Sequence, residues 1–208
     1  MSSQNTKPIS RIAIVGVGQV GAAAAYALIL GSVASELLLV DIKVDLRDGQ
    51  VRDLSDVAYS TNSGTRVRAA TYHEAGQCDI VVITAGSKYS IGKGSNGRKL
   101  IIFCLKGARS YDYSGQNNVQ LIFRNIAIIR SAVRAMKPFR SDTILLVVAN
   151  PVDLLTSLAQ ELSGLPPSQV LGSGTFLDSV RLRGLLADKA EVRARNSFIL
   201  VQTRLIEF

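Results

Sequence analysis

The segment GSGTFLDSVRLR, residues 172–183, sets Asp178 and Arg181 three residues apart where a helix begins. That spacing puts a carboxylate and a guanidinium on neighbouring parts of one helical face. Such a carboxylate can orient a proton-transfer group, and the guanidinium can hold an anionic substrate through two parallel hydrogen bonds, a geometry lysine does not match. Each residue also has a plainer role, the acid as a partner of the helix dipole and the arginine as part of a solvated face. The proton-transfer group itself is not nearby: the single histidine, His73, lies far upstream.

A second constellation stands near the start of the chain. Gly16, Gly18 and Gly21 form G-x-G-x-x-G, with Gln19 and Val20 between the last two, after a short apolar run and before an alanine-rich segment. In a strand-turn-helix context the first glycine permits a tight turn, the second lets backbone approach a pyrophosphate, and the third allows close helix–strand packing. The helix start adds N–H groups and a partial positive charge. Asp41 follows twenty residues after Gly21 and ends a second apolar run. A carboxylate there can accept both ribose hydroxyls and reject a 2′-phosphate, so the combination implies NAD rather than NADP.

These groups need elements to hold them. The sequence predicts a strand before Gly16, a helix from there to Gly31, a buried strand over ELLLVD (36–41) and an amphipathic helix over VDLRDGQVRDLSDVAYS. It continues with a short strand in TRVRAATY, a buried strand in CDIVVITAG (78–86), a helix in QLIFRNIAIIRSAVRAMK and a strand in DTILLVVANP. A helix in VDLLTSLAQELSG, closed by Gly164, and a helix over 175–189 complete the pattern. Alternation of near-continuous apolar strands with helices implies α/β architecture, a Rossmann-type doubly wound parallel sheet. The expected division is an NAD-binding domain over 9–171, then the beginning of an incomplete α+β substrate domain over 172–208. Residues 88–119 break the pattern, with irregular glycines and one apolar island, LIIFCL.

Composition narrows the classes. With 47% hydrophobic and 19% charged residues the chain reads as a soluble globular protein. The polar opening MSSQNTKP lacks an apolar signal core, and no run is long enough to cross a bilayer, so cytoplasm and no membrane partner are expected. Cys78 and Cys104 fit no C-x-x-C pattern and read as unpaired buried thiols; with one histidine, no metal site is expected. The net charge of +8 is concentrated. Lys88, Lys93, Arg98, Lys99, Lys106 and Arg109 face only Asp112 in the irregular segment, and Arg193, Arg195 and Arg204 face only Glu207 in the last stretch. No aromatics interleave with these cations as a stacking surface would need, so no nucleic-acid partner is expected.

With TAG at 84–86, RN at 124–125, ANPVDLLT at 149–156 and GSGTFLDSVRLR at 172–183, the chain resembles the lactate/malate dehydrogenase family, and its L-lactate branch in particular. The resemblance runs from about residue 9 to 87 and from about 120 to 190. It implies that Thr84, Ala85 and Gly86 line the cofactor cleft and that Asn125 lies near cofactor and substrate. It further implies that Asn150 hydrogen-bonds near the nicotinamide and the substrate oxygen, that Asp178 orients a catalytic histidine, and that Arg181 clamps the substrate carboxylate. The implied reaction is NAD-dependent interconversion of (S)-lactate and pyruvate, with a small 2-hydroxy or 2-oxo acid as substrate and homo-oligomers as the family's usual assembly. The chemistry suits those residue types: a hydride leaves the carbinol carbon, a proton goes to a base, and the fixed carboxylate turns that carbon toward the ring.

Two departures accompany the resemblance. After TAGSK the family presents a closing loop of the form Q-x-P-G-x-x-R. Here Tyr89 and Ser95 stand near its specificity and arginine positions, with Arg98 and Arg109 as substitutes that no spacing supports. After ADKAEV the family continues to G-x-H-G, whereas this sequence reads RARNSFILVQTRLIEF. A general acid–base contributes about a hundred- to ten-thousand-fold in rate, so this polypeptide is expected to be catalytically impaired. Translated introns are one hypothetical origin, since residues 87–89 and 191–193 can each be encoded as an exon end running into a splice donor; the mature transcript tests it. The alternatives are a malate or other 2-hydroxy-acid dehydrogenase, and a catalytically silent NAD-binding or subunit-interaction protein.

Overall fold

The computed structural model describes residues 10–87 and 115–191. Tyr89, Ser95, Arg98, Cys104 and Arg109 and the last stretch from residue 192 lie outside the described residues. Within them, residues 10–87 and 122–172 form one compact unit, while 115–121 and 173–191 group in a second.

The first unit is built on six short strands: β1 Arg11–Val15, β2 Glu36–Val40, β3 Arg66–Ala69, β4 Ile80–Ile83, β5 Ile144–Val147 and β6 Val170–Gly172. All pair in parallel, in the order β3-β2-β1-β4-β5-β6. The Val, Ile and Leu content of β1, β2, β4 and β5 is what a sheet covered on both faces demands, while the edge strands β3 and β6 are less apolar and more exposed. Period-two alternation sends Ile12 and Ile14 into a core with Ala25, Ile29 and Leu54. It sends Ala13 and Val15 into the opposite core with Ile129, Val133, Met136 and Leu155. The expected doubly wound Rossmann architecture is therefore the observed one.

The first core is covered by α1 Gln19–Leu30 and α2 Val44–Ser60, and the second by α3 Tyr72–Ala75, α4 Gly115–Met136 and α5 Val152–Ser163. Helix α5 ends on Gly164 at φ 74°, a left-handed position that suits glycine. Helix α4 starts at Gly115, ahead of the expected resumption at residue 120. Gly115, Asn117 and Asn118 are poor helix formers with no apolar periodicity, so the spacing could not show that start. Among the described residues no helix is long and apolar enough to cross a membrane.

In the second unit, α6 Phe176–Lys189 carries Asp178 in its first turn and Arg181 three residues on. Asp178 is exposed and Arg181 half-buried. The Ser179 N–H and hydroxyl both donate to the Thr175 carbonyl, tying the helix start together.

Candidate functional site

The strand order reverses between β1 and β4, and in an open parallel sheet the crevice beyond the carboxyl ends at that point is where ligands bind. The residues singled out in the first unit gather there. The β1–α1 turn begins with Gly16 at φ 98°, where a Cβ would meet the Ala85 Cα at 2.5 Å. A Cβ on Gly21 would stand 2.1 Å from the Gly16 carbonyl oxygen and 2.7 Å from Thr84 Oγ1. Both positions demand glycine, one by backbone conformation and both by contact. Gly18 differs, because nothing lies within 4 Å of where its Cβ would be. The open side of the turn is thus at Gly18, the N-cap of α1, beside the exposed Gln19 and Val20. Helix starts present N–H groups and a partial positive charge suited to an anion.

Asp41 follows the last residue of β2, and its half-buried carboxylate faces this turn. The Val17 N–H donates to Oδ2 and the Lys43 N–H to Oδ1, each at 2.9 Å. Each oxygen has a further lone pair for a diol. Tyr72, partly buried against the same core, has its phenol raised above the ordinary value of 10.0, first by burial and then by the Asp41 charge, which keeps it neutral.

Across β1, the Thr84 hydroxyl donates to the Gly16 carbonyl and the Ala85 N–H to the Val15 carbonyl, binding the β4 exit to the glycine turn. Thr84 therefore braces the turn, and Gly86 is the exposed member of the TAG triplet. Asn125, on α4, is 4% exposed. Its Oδ1 accepts from the Ser87 N–H and its Nδ2 donates to the Asn150 carbonyl, both at 2.7 Å. Asn150 itself is exposed and precedes Pro151 through a cis peptide bond.

His73 lies exposed on the short helix α3. That helix opens with a reciprocal capping box between Thr71 and Glu74. Asp178 and Arg181 share α6 in the second unit. Sequence reasoning overlooked the Val17 and Ser87 N–H groups, because backbone donors leave no mark in residue types. The polar Asn125 within the apolar stripe of α4 was the one signal that pointed toward the Ser87 contact.

Comparison with known proteins supplies the family. Residues 10–172 match the NAD binding domain of lactate/malate dehydrogenase. The chain is 43% identical over 193 residues to L-lactate dehydrogenase A of Rhizopus oryzae, covering 92% of this chain and 52% of that protein. It is 34% identical over 192 residues to an L-lactate dehydrogenase of Acetivibrio thermocellus, covering 92% and 53%. Among solved structures, a minor L-lactate dehydrogenase from Enterococcus mundtii superposes with a TM-score of 0.74 at 32% identity, covering 91% of this chain and 53% of that one. A malate dehydrogenase from Salinibacter ruber gives 0.71 at 26% identity, covering 89% and 51%. The chain spans about half the length of the relatives it matches. A glycine turn braced by Thr84, an acid at the end of β2 and a family match over residues 10–172 agree: the chain belongs to the lactate/malate dehydrogenase family.

Proposed function

We propose that this chain is the cofactor-binding part of an NAD-dependent L-lactate dehydrogenase, interconverting (S)-lactate and pyruvate in the cytoplasm as a homo-oligomer. The observation that carries the cofactor reading is the pairing of an unobstructed Gly18 with the Asp41 carboxylate, both tied to one turn through Val17. The pyrophosphate would lie over Gly16, Gly18, Gln19, Val20 and the start of α1. The adenosine ribose would lie on Asp41, where a 2′-phosphate would meet a like charge. The other half of the dinucleotide would extend past β1 toward Thr84, Ala85, Gly86, Asn125 and Asn150. NAD, when bound, supplies the hydride acceptor; the chain's own residues orient and desolvate.

Domains over 9–171 and 172–208 accord with this reading. Arg181 would hold the substrate carboxylate as a bidentate clamp, and Asp178 would orient an imidazole and stabilise its charged form. His73, exposed on α3 within a capping box, is not that imidazole, so the 208 residues taken alone are proposed to bind NADH but turn pyruvate over slowly. The lactate reading is preferred to malate on the 43% identity with an L-lactate dehydrogenase.

Titration of NADH fluorescence against the purified chain tests the cofactor reading. Saturable binding with NADPH much weaker is the expected result, and equal affinity for the two would overturn the role given to Asp41. Pyruvate and oxaloacetate, compared as oxidants of NADH, test the substrate.

A further inference from the structure

The dinucleotide reading leaves Asn125 with more than a lining role. Helix α4 buries a stripe of Asn125, Ile129, Ala132, Val133 and Met136, and Asn125 is its one polar member. An amide held 4% exposed would be costly without partners, and it has two, each at 2.7 Å. Those partners lie on different loops: Ser87 follows β4 and Asn150 follows β5. The backbone ladder joining these strands runs out at the Val148 N–H, which donates to the Ile83 carbonyl at 2.9 Å. Beyond that bond the Asn125 amide takes the place of the next rung, accepting from one loop and donating to the other. The loops stay close, since a Cβ on Gly86 would lie 3.7 Å from the Ala149 Cβ and 3.8 Å from Asn125 Oδ1.

We infer that Asn125 is a positioning residue, resting on the cofactor reading above, that acts through Ser87 and Asn150 to set the half-cleft receiving the nicotinamide end of the dinucleotide. The adenosine end, on Asp41, lies across β1 and has no bond to this amide. The two ends therefore provide a readout that a general structural role would not separate.

Asn125→Asp keeps the shape and the Ser87 acceptor, but removes the donor to Asn150 and sets a carboxylate oxygen against its carbonyl. Calorimetric titration with NADH and with ADP-ribose would compare the two ends. The expected result is an NADH affinity lowered by about tenfold, in line with one lost buried donor, with ADP-ribose affinity held within about twofold. NADH affinity unchanged, or both ligands weakened alike, would overturn the inference. A wild-type chain that binds ADP-ribose but not NADH would also overturn it, whereas one that binds neither would overturn the cofactor reading itself. Should the variant fail to fold, amide exchange in the unliganded wild type still decides. The Ser87 N–H is expected to be protected although it lies outside any strand, and exchange at an open-loop rate would end the proposal.

Discussion

The Val17 N–H donates to Asp41 Oδ2 at 2.9 Å, so the acid that ends β2 holds the glycine turn that ends β1. One side chain thereby shapes the turn and presents lone pairs outward. Asp41→Ala is expected to weaken NADH binding by at least about tenfold, because a charged acceptor and a backbone tether are lost together. Asp41→Asn, which keeps one carbonyl oxygen, should lose less and should narrow the preference for NADH over NADPH. Parallel titrations of both dinucleotides with both variants measure this.

Two glycines of one motif should respond oppositely to the same added methyl. Gly21→Ala forces a carbon to 2.1 Å from the Gly16 carbonyl oxygen, and overpacking of this kind costs roughly 1–3 kcal/mol or more. Gly18→Ala meets nothing within 4 Å and should leave the urea midpoint almost unmoved while weakening NADH binding, since the methyl would stand where the pyrophosphate approaches. Urea melts with and without NADH separate the two effects.

Acid stability should trace to carboxylates at the rim of the sheet. Glu74 is held at about 2 against an ordinary 4.5, first by the Thr71 N–H and then by Arg68. Asp79 is also lowered, first by the Arg11 N–H and then by Arg140. Burial works upward on Glu36, but Arg68 and Arg11 together hold it below its ordinary value. Each folded-state value lies below the unfolded one, so the stabilisation is present above about pH 4.5 and is lost as pH falls toward 2. Arg68→Gln is expected to shallow that acid limb with little change in its shape above pH 6, as read by thermal melts across the range.

Cys78 is fully buried, and burial first of all pushes its thiol up to about 11. Both features suppress thiolate chemistry. Iodoacetamide at pH 8 should leave Cys78 unmodified in the native chain and label it after urea unfolding, with peptide mapping to distinguish it from Cys104. Labelling of Cys78 at a native rate matching a free thiol would contradict the buried position.

The elements that position the site were legible because each carries a local mark. Continuous Val, Ile and Leu in 37–40 and 80–83 mark doubly covered strands, and the G-x-G-x-x-G turn marks the passage from β1 to α1. The glycine at 164 marks the end of α5 by its left-handed φ of 74°. The start of α4 was not legible, because its first residues bring neither helix propensity nor apolar period.

Residue types and spacing alone therefore determined the alternating α/β pattern, the buried character of its strands and the glycine turn after the first of them. Those are properties of short windows, in which sterics and hydrophobic period act within a few residues of each other. The tertiary structure decided what each polar group touches. It turned Thr84 onto the Gly16 carbonyl, closed Val17 onto Asp41 and set Asn125 between Ser87 and Asn150. Those partners are far apart in sequence and meet only when the sheet brings the strand exits together, and a hydrogen bond depends on that meeting rather than on the residue alone.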